Sequence, residues 1–214
     1  QDNSKDISQR ASQSEKNKKA AASFSDDSSS IEETDTSAIA VIGMAGRFPD
    51  ADTIGDLWQN LCEGIDVIKE VPKERWDLDA IYDSRQGVLG RTYGRWGGFL
   101  KDIDCFDPAF FRLSPKEAKA IDPQQRLPLE LSWQALEHAG YAGGQTTQYK
   151  TGVYVGASYQ HYRDSLGTEW VDSYLGLGNH NAILANRISY LLNCHGPCMT
   201  VDTLCSSSLV ALHL

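Results

Sequence analysis

An α/β architecture is what this sequence predicts, and three observations predict it. Short apolar runs of strand type recur along the chain. Segments with apolar residues at three- and four-residue spacing begin at good helix-capping residues. The two kinds of segment alternate. The strand-type runs are Ile39-Ala-Val-Ile-Gly-Met44, Thr151-Gly-Val-Tyr-Val-Gly-Ala157 and Met199-Thr-Val201. Hydrophobic residues make up 41% of the 214 residues. That suffices for a buried core once a polar N-terminal segment is set aside.

That segment, residues 1–37, is rich in Ser, Asp, Lys, Gln and Glu, and Ile7, Phe24 and Ile31 are its large apolar residues. It cannot bury enough surface to offset its ordering entropy, so it is expected to be a disordered linker from an upstream domain. The chain starts with Gln rather than Met, as a piece of a longer polypeptide would.

Order is expected from Ala38, with 39–44 as a buried strand. Thr53 caps a helix over 54–63, Asp56 stands three residues later and Gly64 just past its end. Leu57, Trp58 and Leu61 form its apolar face. Residues 70–113 are punctuated by Gly and Pro and dense in aromatic residues, so they should pack as an irregular layer. Ser114-Pro115-Lys116-Glu117 starts one helix and Asp122-Pro123 another. The second carries Leu127, Leu131, Ala135, Leu136 and Ala139 as its apolar stripe and stops at Gly140. Pro128 stands inside it, at a cost of about 3 kcal/mol unless a kink or a late start absorbs it. Residues 181–192 read as a helix, and Leu209 to Leu214 as an apolar helix that the end of the chain cuts short.

Composition excludes several functions. With 29 acidic against 20 basic residues the net charge is −9, the wrong sign for a phosphate-binding face, so nucleic acid is not an expected partner. No apolar run reaches the length of about eighteen residues that a membrane span needs, and no secretory signal opens the chain. Five cysteines do not make a disulfide framework, and a reducing cytoplasm is the simplest setting.

The chemistry concentrates at Cys205. A strand ends at Val201, a sharp turn carries the cysteine, and small residues Ser206, Ser207 and Ser208 open a helix. The turn exposes the sulfur, and the helix start offers free N–H groups and the positive end of a dipole, both of which favour thiolate. The Cys205 N–H can stabilise an oxyanion when a thioester is attacked. A buried structural cysteine is the competing reading, since free Cys packs as a small hydrophobe. Cys194-His195-Gly-Pro-Cys198 has too few ligands for a closed zinc site, and no His base and orienter of papain type surround Cys205. The glycines near 43–46 and 90–98 lack the Gly-Lys-Ser/Thr of a phosphate loop. His161 and His180 read as loop or helix-end residues, His138 as a helix C-terminal cation, and Arg126 and Arg187 as holders of ion pairs.

Val201-Asp-Thr-Leu-Cys-Ser-Ser-Ser-Leu-Val-Ala-Leu-His-Leu214 resembles the active-site signature of β-ketoacyl synthase (ketosynthase) domains, especially those of modular type I polyketide synthases. Residues 39–51, 96–111, 114–126, 136–141, 152–158 and 185–192 resemble further blocks of that family, in its order. The glycine-rich approach to Trp96-Gly-Gly-Phe99 resembles synthases whose acyltransferase acts from a separate protein. The resemblance implies that 38–214 is the N-terminal part of such a domain, truncated just after its cysteine. It implies a thiolase-like fold, α-β-α-β-α in layers, of which this is the first of two related halves, and a homodimer. No cofactor is implied; acyl groups would arrive on the phosphopantetheine of acyl carrier protein domains. Cys205 matches the family's nucleophile, which accepts the acyl chain before a decarboxylative Claisen condensation with a malonyl-type unit. The family's two histidines and a lysine belong to the second half, and His138, His161, His180, His195 and His213 match none of its histidine motifs. The fragment is therefore expected to be inactive in condensation. A non-extending ketosynthase, a scaffold that only transfers acyl chains, is the alternative.

Overall fold

A computed structural model describes residues 38–167 and 173–214. The chain divides into Gln1–Ala40 and Val41–Leu214. In the first unit, Ala38–Ala40 are exposed and without regular structure; the polar segment expected to be disordered lies outside the described residues.

In the second unit, helix α1 (Ile54–Glu63) opens at Thr53. The Thr53 hydroxyl accepts the Asp56 N–H at 3.1 Å, and the Asp56 carboxylate accepts the Thr53 N–H at 3.0 Å, a reciprocal cap that satisfies two otherwise unpaired donors. Gly64 closes the helix at φ 67°. Its apolar face is not covered among the described residues: Trp58 and Leu61 are 68% and 64% exposed. Residues 70–113 are loop-rich, as expected, with β1 (Lys69–Glu70), α2 (Leu78–Ile81) and β2 (Trp96–Gly97) as short regular pieces. β1 and β2 pair antiparallel. The aromatic residues pack on one another: Trp76 meets Phe99 edge-on at 6.1 Å, and Phe106 stacks on Phe111 at 5.2 Å.

Helix α3 (Pro115–Ala120) starts with the Ser114 hydroxyl accepting the Glu117 N–H. Helix α4 (Pro123–His138) starts with Asp122 Oδ1 accepting the Gln124 N–H at 2.8 Å. It runs unbroken through Pro128, which has no N–H to give the Gln124 carbonyl. The stripe expected from periodicity is not its most buried face. Gln125, Arg126 and Leu129 are, because α4 is enclosed at its N-terminal half.

A 3-10 turn (Gln145–Gln148) leads to β3 (Val153–Gly156). Helices α5 (Tyr162–Ser165), α6 (Ser173–Gly178) and α7 (Asn181–Leu191) follow, then β4 (Cys198–Val201) and α8 (Ser207–His213). β3 and β4 run parallel, in register from Val153 opposite Cys198 to Gly156 opposite Val201. A parallel pair needs a crossover, and α7 lies within it. The core sits where α4, α7 and this pair meet: Phe111, Leu129, Leu184 and Ile188 are buried, with Val153, Val155 and Leu113 against them.

The apolar run expected as a buried strand does not form one. Val41, Ile42 and Met44 are 75%, 64% and 53% exposed. A strand needs a ladder to take its N–H and C=O groups. Among the described residues the sheets are the pairs β1–β2 and β3–β4, and neither includes this run. Its second half, at Gly43 and Met44, lies along α4 instead. A Cβ on Gly43 would stand 2.4 Å from the Ala135 carbonyl oxygen, so only glycine allows the approach. The Met44 N–H donates to His138 Nδ1 at 3.0 Å. His138 stands in the last turn of α4, as expected, and its Nδ1 also serves as an acceptor for this segment.

Candidate functional site

β3 and β4 end side by side, and the carboxyl ends of parallel strands are where α/β folds carry their sites. Past β4 the chain turns through Asp202 and Thr203 into a 3-10 turn, Leu204–Ser206, and then into α8. Cys205 occupies the middle of that turn and is exposed. The competing reading of a buried structural thiol does not describe it.

Leu204, immediately before the cysteine, has φ 54°. The left-handed region costs a residue with a Cβ about 1 kcal/mol, so neighbouring contacts must hold it there. On the entry side, Asp202 Oδ1 accepts the Leu204 N–H at 3.1 Å and the Ser158 hydroxyl at 2.8 Å. On the exit side, Ser207 is 4% exposed. Its Oγ accepts the Thr203 N–H at 2.9 Å, and its hydroxyl donates to the Leu204 carbonyl at 2.7 Å. The Ser206 hydroxyl donates to the Thr203 carbonyl at 2.9 Å. These bonds hold the Asp202 carboxyl below the usual carboxylate range, the Leu204 N–H first and the Ser158 hydroxyl second.

The turn is also pressed onto β3. A Cβ on Gly156 would lie 2.7 Å from both the Ser207 carbonyl carbon and the Ser208 nitrogen. Any side chain there would push α8 and its preceding turn outward.

The other candidates lie apart from the cysteine. Among the described residues no hydrogen bond joins a histidine to Cys205. His180 caps α7, its Nδ1 accepting the Ala182 N–H at 3.2 Å, as its helix-end position suggested. His161 stacks on Tyr159 at 5.7 Å. The Cys198 thiol donates to Asn186 Oδ1, and burial pushes the Cys194 thiol up. Among the described residues no cluster of three or more His, Cys, Asp or Glu is placed to hold a metal, and no helix is long and apolar enough to cross a membrane.

Arg187 holds the ion pair expected of it, with Glu117 Oε1 at 2.8 Å, and also donates to Gln125 Oε1 at 3.1 Å. Arg126 instead donates to the Asp104 carbonyl and lies over the Tyr162 ring. A groove of about 1120 Å³ is lined by Phe110, Trp133, Tyr141, Tyr190, Glu117 and Arg187 among others; Cys205 does not line it. The groove's size therefore does not mark it as the reactive site.

Sequence reasoning singled out Cys205 as a candidate but not Asp202, Ser158 and Gly156, which brace its turn. The one local signal for them was the Asp-Thr-Leu-Cys order, in which a carboxylate two residues before a backbone N–H can accept from it.

The family model for the β-ketoacyl synthase N-terminal domain matches residues 36–214. Polyketide synthase ThaG of Burkholderia thailandensis is 48% identical over 181 residues, which is 83% of this chain and 3% of that protein. Polyketide synthase PksL of Bacillus subtilis is 44% identical over 192 residues, 86% of this chain and 4% of that protein. Among solved structures, the oxazolomycin ketosynthase domain OzmH KS7 of Streptomyces albus superposes with a TM-score of 0.74 at 44% identity, covering 81% of this chain and 30% of that one. The ketosynthase from module 6 of the bacillaene synthase of Bacillus subtilis superposes at 0.70 with 39% identity, covering 81% of this chain and 28% of that one. The chain thus spans a few per cent of those synthases and under a third of the solved ketosynthase chains.

Proposed function

The chain belongs to the β-ketoacyl synthase family, as the N-terminal half of a ketosynthase of the modular polyketide synthase kind, and from that premise we propose that Cys205 is its acyl-accepting nucleophile. The observation that carries the reading is an exposed thiol in a turn held from both sides at the ends of two parallel strands. Its Sγ attacks the thioester carbonyl of an acyl group borne on the phosphopantetheine of an acyl carrier protein. The tetrahedral oxyanion takes the Cys205 N–H. Collapse expels the pantetheine thiolate, which takes up the proton the cysteine gave up, and the acyl group stays on Cys205 as a thioester.

In the complete domain the acyl chain is then extended by decarboxylative Claisen condensation with a malonyl-type unit. That step uses the family's histidines and lysine, which this chain does not supply. Residues 1–37 are the linker to a preceding domain. Residues 38–214 form the first of two related halves of a layered α-β-α-β-α thiolase-like fold, which works as a homodimer beside the other domains of its synthase. Support comes from the apolar side chains left outside the core, Val41, Ile42, Trp58, Leu61, Leu209 and Leu212, each at least 64% exposed. Faces of that kind mark surfaces that another part covers.

The test is acyl loading of the full-length protein from an acyl-pantetheine thioester, read by mass spectrometry. Cys205→Ala abolishes loading; loading that persists unchanged refutes the assignment. The mass of the released product then tells condensation from transfer.

A further inference from the structure

We propose that Asp202 is a positioning residue for acyl transfer: its carboxylate, seated by Ser158, holds the turn so that the Cys205 sulfur and N–H meet a thioester together. The inference rests on the reading of Cys205 as the nucleophile and adds what keeps that nucleophile in place.

Leu204 sits at φ 54° and is 60% exposed, so side-chain packing does little to hold it. Hydrogen bonds must, and those around it are of two kinds. The Ser207 and Ser206 bonds span three or four residues and travel with α8 wherever it goes. The Asp202–Ser158 bond joins positions 44 residues apart, from the end of β4 to the end of β3. It therefore references the turn to the sheet. Ser158 is fixed in its own right, its carbonyl accepting the Asn181 Nδ2 at 3.0 Å from the first residue of α7. A path of hydrogen bonds thus runs from α7 through Ser158 and Asp202 to the Leu204 N–H, one residue from the cysteine. The carboxylate is ionised near neutral pH, and charged acceptors make the stronger bonds. Among the described residues Asp202 bonds to the Ser158 hydroxyl and the Leu204 N–H and not to the sulfur, so it acts through the backbone and not as a catalytic residue.

A misplaced turn should not slow every reaction of Cys205 alike. Acyl transfer needs the sulfur and an N–H donor on one carbonyl. Alkylation by iodoacetamide needs an accessible thiolate but no N–H donor aligned on a carbonyl.

The experiment measures both rates in the full-length protein, with an acyl-pantetheine thioester and with iodoacetamide as probes. Asp202→Ala is expected to lower the maximal acylation rate about ten-fold or more, with KM unchanged and alkylation within about two-fold of wild type. Asp202→Asn restores most of the acylation rate, because its amide oxygen accepts both bonds. Ser158→Ala falls between them. Wild-type acylation in Asp202→Ala, with Cys205→Ala inactive, overturns the positioning role and leaves the nucleophile intact. Equal losses of acylation and alkylation also overturn it, since they report general collapse of the turn. Loading that survives Cys205→Ala overturns the nucleophile and this proposal together. Should Asp202→Ala fail to fold, Ser158→Ala carries the same test, and unchanged acylation there overturns it.

Discussion

Gly156→Ala tests whether the approach of α8 to β3 sets the position of Cys205. The added Cβ would stand 2.7 Å from the Ser207 carbonyl carbon and the Ser208 nitrogen, where ordinary contact begins at 3.4 Å. Both atoms are backbone, so no side-chain rotation relieves the overlap, and α8 with its turn must move about 0.7 Å away from the strand or β3 must yield. Forced overpacking of this size costs about 1–3 kcal/mol. Its structural share should appear as faster amide exchange in α8, by about ten-fold for each 1.4 kcal/mol. The functional share should be a fall of about ten-fold or more in Cys205 acylation, because displacements near 1 Å are felt strongly where reacting atoms must be aligned. Gly176→Ala is the matched control. Nothing lies within 4 Å of its added Cβ, so it should leave acylation unchanged and stabilise α6 by up to about 1 kcal/mol. A Gly156→Ala protein with wild-type exchange in α8 and wild-type acylation would refute the claim that the close approach positions the thiol.

Two further outcomes follow from the structure. Thr53→Ala removes one side of the reciprocal cap with Asp56 and should destabilise α1 by about 1 kcal/mol, read as roughly five-fold faster amide exchange over Ile54–Glu63, with no change in acylation. Burial raises the Asp122 carboxyl above its ordinary value of 3.8, against the pull of the Gln124 N–H and Arg126. Folding then binds a proton more tightly than the unfolded chain does, so this group lowers stability as pH rises through its folded value and costs most at neutral pH. Asp122→Asn, which keeps an oxygen for the Gln124 N–H, should therefore raise the melting temperature of the ketosynthase region at pH 7 and lose that advantage below the unfolded value; an equal effect at both pH values would contradict the assigned cause.

What could be read from the sequence was local. The caps at Thr53, Ser114 and Asp122 are contacts across two or three residues, and each formed as expected. The strand, turn and helix around Cys205 also depend on neighbours in the chain, and the ordered motifs carried the family. Longer-range statements fared differently. The stripe on α4 predicted Leu127 and Leu131, whereas the chain buried Gln125 and Arg126, because polar side chains can be buried when distant backbone supplies partners: Gln125 donates toward the Leu177 and His180 carbonyls. The run at 39–44 is apolar enough for a strand, but a strand exists only with a partner, and apolar character names none.

At Cys205 the same division holds. Sequence alone determined which atom is the candidate nucleophile and that a turn would present it. Only the tertiary structure decided what holds that turn, namely Ser158 on Asp202 and the bare backbone of Gly156 under Ser207. The physical reason is separation: a hydrogen bond across 44 residues and a contact between two backbones leave no periodic trace in the chain, because folding alone brings their ends together.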